Sequence, residues 1–146
     1  MQKPSPRKSA GRAKERPTQP RLLGDENTSH RLVPACRRLV KEFPIVHIAS
    51  WQDGSWLGLD DAALLISCAQ AGLVLVAVDR ATLPWHAGQV LRAGENHGGL
   101  VLFRRTVRST AYGNQARLLT DFWVHEGHTW DWVNRIVYLP NGRRKP

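Results

Sequence analysis

The run Leu73-Val74-Leu75-Val76-Ala77-Val78 limits the possible folds more than any other stretch of the chain. Six apolar residues in succession leave no polar position at every second residue, as a half-exposed strand would, nor at helical spacing, as a surface helix would. A short run with three valines is a strand buried on both faces. That is the condition of a central strand in a parallel sheet with helices above and below it. The run stops abruptly at Asp79.

The surrounding chain supplies the rest of such a fold. Leu22 and Leu23 begin a short buried strand that ends in Gly24-Asp25-Glu26-Asn27. Asn27 or Thr28 is placed to cap a helix running to about residue 41, with Leu32, Ala35, Cys36 and Leu39 on one face. Pro44 closes that unit, and Ile45-Val46-His47-Ile48 reads as a second strand. Asp60 is placed to cap a helix over 61–71 that Gly72 stops. Pro84 stands near the start of a further helix, and Gly94 follows its end. Gly98-Gly99 leads into Leu100-Val101-Leu102-Phe103, a fourth strand. The spacing of Ala116, Leu119, Phe122 and Trp123 predicts a helix over about 112–126, and Ile136-Val137-Tyr138-Leu139 a fifth, edge strand. Strands alternating with helices predict an α/β fold: a three-layer α/β/α sandwich around a mostly parallel sheet of four to five strands. Right-handed crossovers are expected throughout.

The formal net charge of +9 is unevenly placed. Residues 1–21 hold seven basic residues against Glu15, and Arg143, Arg144 and Lys145 close the chain, so the 121 residues between are balanced at eleven basic and eleven acidic. The first twenty residues, with four prolines and hardly any apolar side chain, are expected to be a disordered basic tail. A folded domain over 21–140 and a basic tail over 141–146 follow from the same shift in composition. Charge of this kind favours weak, salt-sensitive attraction to polyanions. No apolar run reaches the roughly 20 residues of a membrane span, and no apolar segment follows the basic start, so a cytoplasmic location is expected. Cys36 and Cys68 belong to no metal-type array and are expected to be buried thiols.

In a parallel sheet, ligands bind beyond the C-terminal strand ends. Asp25, Glu26 and Asn27 leave the first strand on that edge. Asp53, Asp60 and Asp61 follow the second, Asp79 and Arg80 the third, and Arg104, Arg105, Arg108 and Asn114 the fourth. Glu95, Asn96 and His97 precede the fourth strand and fall on the opposite edge. Converging carboxylates repel unless a cation sits among them. Hard oxygen ligands suit Mg²⁺ or Mn²⁺, which can activate water for phosphodiester hydrolysis. The arginines are placed to neutralise phosphate. Each acid also has an ordinary role: Asn27 and Asp60 are good helix caps, and Asp61 favours a helix dipole. His125-Glu126-Gly127-His128 has metal-like spacing, but Gly127 is expected to end the helix between the two histidines. Trp123, Trp130 and Trp132 are read as core or subunit contact in preference to base-stacking residues.

These blocks resemble the PIN-domain superfamily, in particular a small bacterial PIN-like branch related to VapC-type toxins. The resemblance rests on Leu22 to Asn27, on Asp60-Asp61-Ala62-Ala63-Leu64, on Val74 to Asp79, and on Gly98 to Arg104, and covers roughly residues 21–106. It implies an α/β/α sandwich in which Asp25, Asp61 and Asp79 surround Mg²⁺ and cleave RNA. Glu26 or Asp60 would assist, and Arg80, Arg104 or Arg105 would hold phosphate. It further implies the toxin of a type II toxin–antitoxin pair, with a cognate antitoxin partner and a homodimer. The chain departs from the family where members often read Asp-x-Asp-Phe: here Asp79-Arg80-Ala81-Thr82 lacks the second carboxylate. Asn114 and Asp121 are the candidates for a late polar ligand. The alternative is a PIN-like scaffold without catalysis that binds protein or nucleic acid.

Overall fold

A computed structural model describes residues 21–78 and 81–141. Five strands form one sheet: β1 (Leu22–Gly24), β2 (Ile45–His47), β3 (Val74–Val78), β4 (Leu100–Phe103) and β5 (Ile136–Leu139). Their order is β2-β1-β3-β4-β5, and every neighbouring pair is parallel. Four α-helices cover it: α1 (Leu32–Leu39), α2 (Asp61–Ala71), α3 (Thr82–Arg92) and α4 (Tyr112–His125). Short 3₁₀ turns occupy Trp51–Gly54 and Gly127–Thr129. The expected α/β/α sandwich is the observed architecture, with five strands, all parallel. Among the described residues no helix is long and apolar enough to cross a membrane.

The central strands follow their sequence. Val74, Leu75, Val76 and Ala77 are all at most 1% exposed, and alternate residues face opposite layers. Leu22, Val74, Val76, Val101 and Phe103 meet α1 and α4. Leu23, Leu75, Ala77, Leu100 and Leu102 meet α2 and α3. Complete burial of a leucine such as Leu75 contributes about 1.5–3 kcal/mol. Cys36 sits in the first layer and Cys68 in the second, both as buried free thiols, and burial pushes each thiol pKa up to about 12.

One crossover departs from expectation. The step from β1 to β2 carries its helix on the α1/α4 face. The steps from β2 to β3 and from β3 to β4 run the other way across the sheet with their helices on the opposite face. Those three connections share one hand. The step from β4 to β5 continues in the second direction, yet α4 lies on the α1 face, so this connection has the opposite hand. The aromatic return that follows α4 accompanies the reversal. Trp132 stacks near Trp123 at 5.9 Å and donates from Nε1 to the Gly127 carbonyl at 2.7 Å, and Phe122 meets both Trp130 and Trp132 edge-on. Trp123, Trp130 and Trp132 therefore belong to the core and its margin, as their spacing implied.

Two details of α1 correct the sequence reading. The helix begins at Leu32, so Arg31 holds the cap position in place of Asn27 or Thr28, and it makes no side-chain capping bond. Leu39 is 52% exposed, so the apolar face consists of Leu32, Ala35 and Cys36. Elsewhere the caps act as expected. Asp60 accepts a hydrogen bond from the Ala63 amide at 2.8 Å, and Gly72 closes α2 in the left-handed conformation.

Gly98 sets how closely β4 approaches the end of α2. A Cβ at this position would collide with the Leu73 carbonyl and lie 3.1 Å from the backbone of both Cys68 and Ala69. Backbone cannot turn aside as a side chain does. Gly98→Ala should therefore destabilise the fold by about 1–3 kcal/mol, read as a lowered urea midpoint with unchanged slope.

Candidate functional site

All parallel strands present their C-terminal ends on one edge, and the order of the sheet reverses direction between β1 and β3. Such a switch point opens a crevice, because the connections from the two neighbouring strands leave toward opposite faces. Asp25 stands there, directly after β1.

The turn at Asp25 is built by its own backbone and by its neighbours. The Asp25 amide donates to the Val76 carbonyl at 3.0 Å, which extends the β1–β3 pairing past the strand. Its carboxylate Oδ1 accepts from the Asn27 amide at 3.0 Å, forming an Asx turn. The Asp25 carbonyl accepts from both the amide and the hydroxyl of Thr28, at 3.1 and 2.8 Å. Asn27 and Thr28 are consumed by this turn, which is why α1 starts later. Gly24 allows the turn to fold back tightly: a Cβ there would stand 2.8 Å from Thr28 Oγ1. Asp25 is 2% exposed.

Asp25, Glu26, Asn27 and Asp61 line one pocket of about 90 Å³ together with Leu59 and Leu64. Asp61, the first residue of α2, is half-buried, and its Oδ2 lies 3.7 Å from Nε2 of His86 on α3. Glu26 accepts from the Gly58 amide through Oε2 at 2.8 Å, which fastens the loop before α2 beside the pocket. Asp60, next to Asp61, has its carboxylate turned to the amide it caps. Asp53 is exposed in the 3₁₀ turn, with a left-handed backbone. Asp79 and Arg80 lie outside the described residues.

None of the remaining described candidates lines this pocket. Arg104 donates through Nε to the Pro140 carbonyl at 2.7 Å and lies over the Tyr138 ring, so its guanidinium is held on β5. Arg105 and Arg108 are exposed in the loop after β4. Asn114 and Asp121 border a groove of about 510 Å³ between α1 and α4, together with Leu39 and Val124. His125 ends α4 with Nδ1 against the Asp121 carbonyl, whereas His128 Nδ1 meets the Trp123 carbonyl. The two histidines thus serve different backbone partners.

Among the described residues no three His, Cys, Asp or Glu side chains form a metal-type group. The two aspartates nevertheless fit a hard divalent ion in donor chemistry. They offer carboxylate oxygens in a pocket that also has room for a few waters at about 30 Å³ each.

Three residues near this edge carried no sequence signal. His86 and Trp85 sit in the first turns of α3, and only the folded chain brings His86 to Asp61 on α2. His47 ends β2. It donates or accepts at Nε2 with the Thr28 carbonyl at 3.0 Å, and its Nδ1 faces the Ala49 amide at 3.0 Å. Since an amide can only donate, Nδ1 is the acceptor and Nε2 carries the proton. His30 stacks on it at 4.1 Å.

Comparison with protein-family models, with curated proteins and with solved structures finds no match.

Burial lowers the pKa of His47, and burial likewise lowers that of His97, whose ring accepts from the Gly99 amide on the opposite edge. Unfolding returns each to about 6.5, so below that pH the unfolded chain binds protons that the folded chain does not. Stability is therefore complete above about pH 6.5 and should fall as the pH drops toward the lowered native values, by up to about 1.4 kcal/mol per pH unit for each histidine. Urea midpoints at pH 7.5, 6.0 and 5.0 measure this, and His47→Gln should make the decline shallower.

Proposed function

We propose that this chain is a Mg²⁺- or Mn²⁺-dependent ribonuclease of PIN type and the toxin of a type II toxin–antitoxin pair, acting in the cytoplasm. The observation that carries the reading is the shared pocket of Asp25 and Asp61. These residues are 36 positions apart in sequence, arise from different elements, and meet at the switch point of the sheet with Glu26 between strand and loop. On this reading Asp25 and Asp61, with Asp79, hold the ion. When bound, the ion neutralises phosphoryl charge and makes nearby water more acidic for in-line hydrolysis.

The chain's own residues supply position. Asp25 is fixed at both ends, by its amide on Val76 and by its carboxylate on Asn27. Glu26 holds the Gly58 amide beside the pocket, and His86 Nε2 stands 3.7 Å from Oδ2 of Asp61. Arg80, Arg105 and the basic residues of both termini would attract the RNA backbone through phosphate contacts, and Arg104 would do so from β5. A cognate antitoxin and a second copy of the chain are the proposed protein partners.

A second reading has its own support. Ala81, at the start of α3, is exposed and brings no carboxylate to this edge, which favours a scaffold that binds without cleaving.

The two readings separate on metal and cleavage. Asp25→Asn keeps an oxygen to accept from the Asn27 amide, so the turn survives while the charge is lost. Asp25→Asn and Asp61→Asn should each lower Mg²⁺-dependent RNA cleavage by roughly 100-fold or more, with unchanged circular dichroism. Equal cleavage by all three proteins would remove the nuclease reading. Absence of Mg²⁺ and Mn²⁺ binding by calorimetry, with the fold intact, would favour the scaffold.

A further inference from the structure

We infer that Trp85 is a stacking platform for a nucleobase of single-stranded RNA, set beside the acid pocket; the inference rests on the nuclease reading of that pocket. Of the six tryptophans, Trp85 alone is exposed, at 59%. The helix does not need it for packing. The buried face of α3 consists of Leu83, Ala87 and Val90, and Trp85 lies outside that stripe. Trp123 and Trp132 are buried, and Trp51, Trp56 and Trp130 are partly covered by other rings. A large ring left in water on a helix otherwise packed in the ordinary way is surface available to a ligand.

Its neighbours indicate which ligand. The Trp85 ring meets the His86 imidazole edge-on, with centroids 4.9 Å apart at 80°. The same imidazole places Nε2 3.7 Å from Asp61 Oδ2. One imidazole therefore separates an exposed aromatic face from a carboxylate of the pocket. A ligand that spans both must carry a group suited to the acid–cation site and, a short flexible reach away, a flat apolar face. A phosphodiester with its adjoining base has this form. Bases in a duplex are already stacked on one another, so a free aromatic face favours an unpaired strand. Stacking accepts any base, because every base offers a π-face. Trp85 would thus favour single strands over duplexes and leave sequence choice to other contacts.

The test uses the full chain with Ca²⁺ in place of Mg²⁺ and a fluorescein-labelled octaribonucleotide read by anisotropy. Trp85→Ala should weaken binding by roughly 5- to 100-fold, the range that loss of one stacked base produces. Trp85→Phe should recover most of the affinity. An abasic ribose-phosphate octamer should bind wild type and Trp85→Ala equally, because neither pair has a base on tryptophan. With Mg²⁺ restored, Trp85→Ala should raise KM for the octamer more than it lowers kcat. If Trp85→Ala binds and cleaves the octamer as wild type does, the stacking role is overturned and the nuclease reading stands. Loss of discrimination by Trp85→Phe equal to that of Trp85→Ala also overturns it. If wild type neither binds nor cleaves the octamer, both the role and the reading fall together.

Discussion

The hydrogen bond from the Asp25 amide to the Val76 carbonyl is the contact on which the site depends. β1 is only three residues long, and it is paired on both sides, with β2 and with β3. A strand so short has little register of its own. What fixes it is that Leu22 and Leu23 point to opposite layers, so a slip of one residue would exchange their environments and set every side chain on the wrong face. The Asp25 amide continues that register for one step more. The carboxylate consequently departs from a point as rigid as the sheet itself, and the Asx turn to Asn27 sets its direction.

The reversed hand of the last crossover shows a second constraint at work. A right-twisted strand normally feeds its helix back on the side that gives a right-handed connection, so the opposite hand needs compensation. Here the compensation is aromatic. Phe122, Trp123, Trp130 and Trp132 form a continuous group that closes the return from α4, and the indole N–H of Trp132 is satisfied by the Gly127 carbonyl. Asn134 then adopts a left-handed backbone and ties this segment to His97, in the turn before β4. The outcome is that α1 and α4 share one face, leaving the other to α2 and α3. Those are the helices that carry Asp61 and His86.

The elements readable in the sequence were those whose cause is local. β3 is written in six apolar residues, and α2 in a capping aspartate, an apolar stripe and a terminal glycine. The parallel alternation alone pointed Asp25, Glu26 and Asp61 to one sheet edge, and these three line one pocket. The misread features depend on competition or on distance. Asn27 and Thr28 have the chemistry of caps, but the backbone of Asp25 claimed them first. Leu39 fits the helical period, yet the helix ends there and leaves it exposed. His86 and Trp85 had no motif to mark them, because their meaning comes from the packing of α3 beside α2. The reversed crossover was likewise invisible, since hand is a property of three elements together.

The turn at position 25 is set by two requirements that do not themselves call for a charge. The turn requires an oxygen that accepts from the Asn27 amide, and the strand end requires a backbone that bonds to Val76. An asparagine would meet both needs without bringing a charge into a position 2% exposed. Removing a carboxylate from water is costly unless a counter-charge accompanies it. The same reasoning applies at Asp61. The cap of α2 is already supplied by Asp60; the neighbouring acid stands in the first turn, where it favours the helix dipole, with Oδ2 3.7 Å from His86 Nε2. Asp25 and Asp61 share one small pocket, and His86 stands beside the second. A fold selected for stability alone would lose nothing in its turn or its cap by giving up one of them. Turn and cap geometry thus account for where these two carboxylates stand, and not for why each is an acid.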